Sequence, residues 1–168
     1  MQHPLTFIPS DKRKPAFLSL LALTLILFAV FWVLDAPLRT PAAPNGIVSF
    51  ELAGTPAAAQ SMIDSWDARA RLFTAFGLGI DYLFMPLYAL ALSFGILLAA
   101  GRHPGVFAKL GAWLGWGALI APLFDGVENF ALYQLLMNSV SSPWLEIAQW
   151  CATVKFALLI VGLSYALI

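Results

Sequence analysis

Lys155 stands in the middle of an apolar run, SPWLEIAQWCATVKFALLIVGLSYALI, and no charged residue follows it. An ammonium placed deep in an apolar environment costs several kcal/mol, so such a residue needs a partner or a wet cavity. The other long apolar segments offer carboxyls: Asp81 in one, Asp125 and Glu128 in another. Asn129 adds an amide next to Glu128. Acids and an amine shielded from water can form an ion pair, hold a cation or pass protons.

The spacing turns these groups to common faces. Asp125, Glu128 and Asn129 follow i, i+3, i+4, which is one side of a helix. Ala118 and Ala121 continue that side with small residues, and Leu132 continues it the other way as an apolar lid. On the last segment Ala148, Cys151, Ala152 and Gly162 share the face of Lys155, and small residues mark faces where membrane helices approach closely. Thr74, Gly77, Met85 and Tyr88 share the face of Asp81. Tyr88, Tyr133 and Glu51 are expected as supporting residues of the same polar site.

The elements that must position these residues follow from composition. The 168-residue chain is 61% hydrophobic and 11% charged. A soluble domain is nearer half apolar and a quarter charged, so the fold class is all-α: a polytopic membrane protein with a four-helix transmembrane bundle. Spans are expected at about 16–35, 72–100, 106–137 and 144–167 within a single membrane domain, 16–168. Residues 1–15 form a polar tail ending in Lys12, Arg13 and Lys14. A basic stretch before an apolar run also describes a signal peptide, but this run is longer than a usual signal core and Asp35-Ala36-Pro37 is a poor cleavage site. Gly101-Arg102-His103-Pro104-Gly105 reads as a tight turn and Asn138 to Pro143 as a short loop.

The connector 36–71 is expected to be partly ordered. Its prolines and Gly46 mark loop at the start, and Val48, Phe50 and Leu52 alternate with polar residues like a short strand. Thr55-Pro56 reads as the cap and first residue of a helix running to Trp66, with Met62, Ile63 and Trp66 resting on the membrane surface. Asp35 and Arg39 are expected at the surface. Lys12, Arg13, Lys14, Arg102 and Lys109 lie on one side of the spans. Arg39, Arg69 and Arg71 are diluted by acids on the other. That bias puts both termini inside and the connector outside a plasma membrane, the inner membrane in a bacterium. Trp32, Trp66 and Trp144 then fall at the outer interface.

Depth gives the charged residues a common level. Asp81, Glu128 and Lys155 lie about nine to eleven residues from the outer ends of their spans, which at ~1.5 Å per residue is one layer in the outer half of the bilayer. Pro86 and Pro122 flank it and free the carbonyls of Tyr82 and Ala118. Three acids against one lysine would leave a charge of about −2 in a low dielectric, so at least one carboxyl is expected to carry a proton near neutral pH. Asp81, alone on its helix, is the expected carboxyl without a partner.

Several classes are set aside. Zero net charge and the lack of a basic stripe argue against a nucleic-acid partner. His3 and His103 lie outside the spans, which disfavours a buried haem or di-iron centre. Cys151 is the one cysteine, so no intrachain disulfide forms. No serine or cysteine stands with a histidine in the membrane layer, which disfavours acyl transfer. Lys155 argues against a metal among the carboxylates, and no cofactor is expected.

The leading expectation is a site that binds or translocates a small polar or cationic solute. Four helices make a narrow path, so transport calls for a homo-oligomer. The alternatives are a membrane enzyme on a lipid-like substrate, with Asp125 and Glu128 dividing acid and base roles, and an assembly subunit. In the plainest reading the charges only fix helix packing.

Overall fold

The computed structural model describes residues 2–102, 105–138, 140 and 143–168. His103 and Pro104 of the expected turn, and Ser139, Ser141 and Ser142 of the expected loop, lie outside the described residues. The chain is all-helical, 81% helix, with no strand among the described residues. The helices are α1 (Ser10–Asp35), α2 (Ile47–Glu51), α3 (Pro56–Ser65), α4 (Ala68–Ala100), α5 (Val106–Met137) and α6 (Trp144–Ala166), with a 3-10 turn at Ala36–Leu38. Four of them, α1, α4, α5 and α6, are long and apolar enough to cross a membrane.

Local chemistry sets the ends. Thr55 caps α3 by accepting the Ala58 amide at 3.2 Å, with Pro56 as the first helical residue. Asp67 accepts the Ala70 amide at 2.7 Å and starts α4 four residues before the expected boundary. Arg71 reaches back to the carbonyls of Trp66 (3.1 Å) and Ile63 (2.8 Å), which joins the end of α3 to α4. α1 begins at Ser10 rather than near residue 16, so the basic triad lies within the helix.

The chain divides into two compact units: Met1–Ile26, Phe84–Leu123 and Val154–Ile168 form the first, and Leu27–Leu83 with Phe124–Thr153 the second. The division crosses α4 and α5 within two residues of Pro86 and Pro122.

In the first unit the residues before α1 are not a free tail. His3 and Leu5 are buried. Gly111 and Gly115, one turn apart on α5, cut a groove. A Cβ at Gly115 would run into the His3 ring, and one at Gly111 into the Tyr165 hydroxyl. The Tyr165 ring stacks on Phe107 at 4.3 Å and its hydroxyl donates to the Phe107 carbonyl at 2.8 Å. Arg13 holds the terminal segment by donating to the carbonyls of Ile8 (2.8 Å) and Thr6 (2.9 Å). The Trp116 indole donates to the Gln2 carbonyl at 3.2 Å. Burial holds the His3 ring neutral, pushing its pKa down to about 4; the nearby Ser93 carbonyl opposes this and Arg13 adds to it.

The second unit packs the connector on its own apolar cluster, which includes Leu38, Phe50, Ile63, Trp66, Leu132, Leu135 and Leu145. Two expectations fail here. Residues 47–51 form helix α2, not a strand. A lone strand would leave its backbone groups unpaired, whereas Asp35 accepts the Ile47 amide at 2.8 Å and opens the helix. Gly46 takes φ 58°, and a Cβ there would collide with the Asp35 carboxylate. Second, Ile63 and Trp66 face this cluster instead of resting on a membrane surface. The Trp66 ring meets Phe50 edge-on at 5.2 Å, and its N–H finds the Leu38 carbonyl at 2.8 Å, so burial leaves no polar atom of the indole unsatisfied. Asp35 also pairs with Arg39 at 2.9 Å.

Charge separates with the units. The first holds six of the nine lysines and arginines but one of the nine acids, a net charge of +5. The second holds three and eight, a net charge of −5. A chain with no net charge is therefore strongly polarised.

Candidate functional site

The second unit gathers the carboxyls. α4 brings Asp81, and α5 brings Asp125, Glu128 and Asn129. Their relative exposures are low on α5: 3% for Asp125, 0% for Glu128 and 2% for Asn129. Asp81 is half-buried.

Two matched ladders hold α4 and α5 in register. On α4, Leu78, Asp81 and Tyr82 follow i, i+3, i+4; on α5, Gly126 and Asn129 follow i, i+3. The Asn129 amide donates to Asp81 Oδ2 at 2.8 Å and to the Leu78 carbonyl at 3.3 Å. The Tyr82 hydroxyl donates to the Gly126 carbonyl at 2.9 Å. Gly126 has no side chain to block that approach. Asp81 was expected to be the acid left without the lysine as counter-charge; the Asn129 amide binds it. A hydrogen bond to a charged acceptor contributes about 1.5–3 kcal/mol, roughly twice a neutral one.

Beyond Glu128, one turn further along α5, Leu132 is fully buried with Ala131 and Leu135. This is the apolar closure that the sequence predicts. On the other side of Asp81, Thr74 is buried and its hydroxyl returns to the Ala70 carbonyl at 2.9 Å. A carboxyl as enclosed as Glu128 is costly to ionise unless hydrogen bonds or a cation compensate it. Asn129 fixes the Asp81 carboxyl in place.

The supporting residues divide. Glu51 is buried at the end of α2 in the second unit. Tyr133 is exposed, so its hydroxyl does not belong to the buried set. Tyr88 and Lys155 belong to the first unit. Tyr88 is buried there and tilts against Phe84 at 5.2 Å. Lys155 is 5% exposed, with its Nζ 4.6 Å from the ring centroid of Phe156. Tyr82, Gly126 and the Leu78 carbonyl were not among the expected site residues. They meet only through the register of α4 against α5, which spacing along either helix does not carry. Among the described residues no three His, Cys, Asp or Glu side chains converge as a metal-ligand set.

Comparison with known protein families, curated proteins and solved structures gives no match, so residue geometry alone carries the functional reading.

Proposed function

We propose that the chain is a multi-pass membrane protein whose second unit binds, and in a homo-oligomer translocates, a small cationic solute. α1, α4, α5 and α6 cross the bilayer as a four-helix bundle. The strongly basic first unit holds both termini on the cytoplasmic side, and the connector of α2 and α3 covers the outer face. The lipid bilayer is the constant partner.

The observation that carries this reading is the burial of Asp125, Glu128 and Asn129 on one face of an apolar helix, with Asn129 bound to Asp81. Ionisable groups inside apolar helices are costly, and by default they point to a solute or ion pathway. The interiors of the apolar helices hold three carboxyls (Asp81, Asp125, Glu128) and one ammonium (Lys155), and that balance favours a cationic or proton-bearing occupant. Asp81, Asp125, Glu128 and Asn129 form the site. Lys155 supplies the one internal positive charge in that count.

Binding of radiolabelled tetramethylammonium to the purified chain in nanodiscs tests the reading. This probe is a permanent cation, so its own protonation does not confuse the result. The wild-type chain should bind it saturably, and Glu128→Gln and Asp125→Asn should weaken binding at least tenfold. Asp64→Asn, which alters an exposed acid bound to Gln60 on α3, should leave it unchanged. Folded wild-type protein that shows no saturable binding, or equal binding by Glu128→Gln, contradicts the proposal.

A further inference from the structure

A second site lies in the first unit, and it has the opposite charge. A shallow, open groove of about 430 Å³ lies between the terminal segment and the facing ends of α4 and α5. Gln2, His3, Thr6, Arg13 and Lys109 give it polar walls, while Leu97, Ala100, Ala108 and Ala112 give it an apolar one. None of its lining residues is acidic.

The two cations are placed for different tasks. Arg13 spends two of its five N–H donors on the Thr6 and Ile8 carbonyls, which fixes the guanidinium at the groove wall. Lys109 is exposed; its backbone amide donates to the Gly105 carbonyl at 3.3 Å, and its ammonium makes no hydrogen bond or ion pair among the described residues. A rigid fork and an ammonium lining one groove can both bind the oxygens of a phosphate. Lys12, Lys14 and Arg102 add positive charge to the same unit, against Asp11 alone. The small apolar residues opposite would accommodate hydrocarbon beside the charged group.

We propose that this groove binds a phosphate group, with Arg13 and Lys109 as its ligands. The phosphate can come from an anionic lipid headgroup or from free phosphate. Basic pockets between helices at the cytoplasmic end of a membrane protein are suited to lipid phosphates. The groove is independent of the carboxyl site, and either can fail without the other.

Native mass spectrometry of the full chain, released from mixed micelles of phosphatidylglycerol and phosphatidylcholine, tests the lipid source. Phosphorus NMR line broadening with inorganic phosphate alone tests the other. Expected is retention of phosphatidylglycerol over phosphatidylcholine, or broadening by inorganic phosphate, reduced about tenfold by Lys109→Gln, in line with the loss of one charge-assisted contact to the phosphate. Lys12→Gln, which removes an exposed charge outside the groove, should change either readout less than twofold. Lys109→Gln leaves the Arg13 contacts intact, and circular dichroism checks that it folds. Three results overturn the proposal: equal loss in the two variants, retention of both lipids alike without any response to inorganic phosphate, or no binding in either arm.

Discussion

The two units solve opposite problems. The first carries net charge +5 and keeps most of its cations exposed near helix ends. The second carries −5 and places two of its acids, Asp125 and Glu128, out of reach of water inside an apolar helix. Exposed cations cost little and attract anions over a Debye length of about 8 Å. Enclosed acids cost much, and the structure must hold them with fixed hydrogen-bond donors. Asn129 is such a donor, spending both amide hydrogens on α4. The same chain thus builds an accessible basic surface in one unit and encloses acids in the other.

Four changes would break or sharpen that contrast. The largest effect is expected from Gly46→Ala in the second unit. It forces a side chain into a left-handed backbone position and onto the Asp35 carboxylate that opens α2. A loss of about 3 kcal/mol is expected, read as a lower thermal midpoint in detergent. Asn129→Leu comes next. It removes both donors from the Asp81 and Leu78 oxygens, and should cost about 2 kcal/mol by the same measurement.

The third change is a titration of the first unit. His3 is neutral when docked, with a pKa near 4, against an ordinary value of 6.5 when released. Docking of the terminal segment is therefore complete above about pH 6.5. It weakens by up to tenfold per pH unit as pH falls toward 4, because the released ring takes up the proton first. Hydrogen exchange of the Leu5 amide, which donates to His3 Nδ1 at 3.2 Å, reports the docked fraction. Gly115→Ala should abolish the pH response by filling the seat of the ring. The smallest effect is expected at Tyr133. It is exposed, so Tyr133→Phe should change stability by less than about 0.5 kcal/mol. A larger loss would return its hydroxyl to the site.

Most of the helical framework was legible in the sequence, because long uncharged runs between polar turns leave few alternatives. α5 has the expected bounds, 106–137, and α6 ends one residue early. The face shared by Asp125, Glu128 and Asn129 followed from spacing alone, and all three are buried. What escaped the sequence depended on contacts between distant segments. That Asn129 takes Asp81 requires the register of α4 against α5, which no single-helix periodicity contains. The connector was misread where alternation at 48–52 mimicked a strand; the Asp35 carboxylate, 12 residues earlier, decides for helix. The first residues read as a polar tail because a lone His and Leu carry no periodicity. The clue lay elsewhere, in the Gly111–Gly115 groove on α5 that receives His3 and Tyr165.

The central claim is that the enclosed carboxyls of the second unit meet a cation. Infrared difference spectroscopy of the chain in nanodiscs, with and without tetramethylammonium, tests it most directly. The account predicts that the cation changes the carboxyl and carboxylate stretching bands, and that Glu128→Gln removes most of that change while Asp64→Asn leaves it intact. A spectrum in which the cation leaves the bands untouched, or in which Glu128→Gln responds as the wild type does, would contradict it.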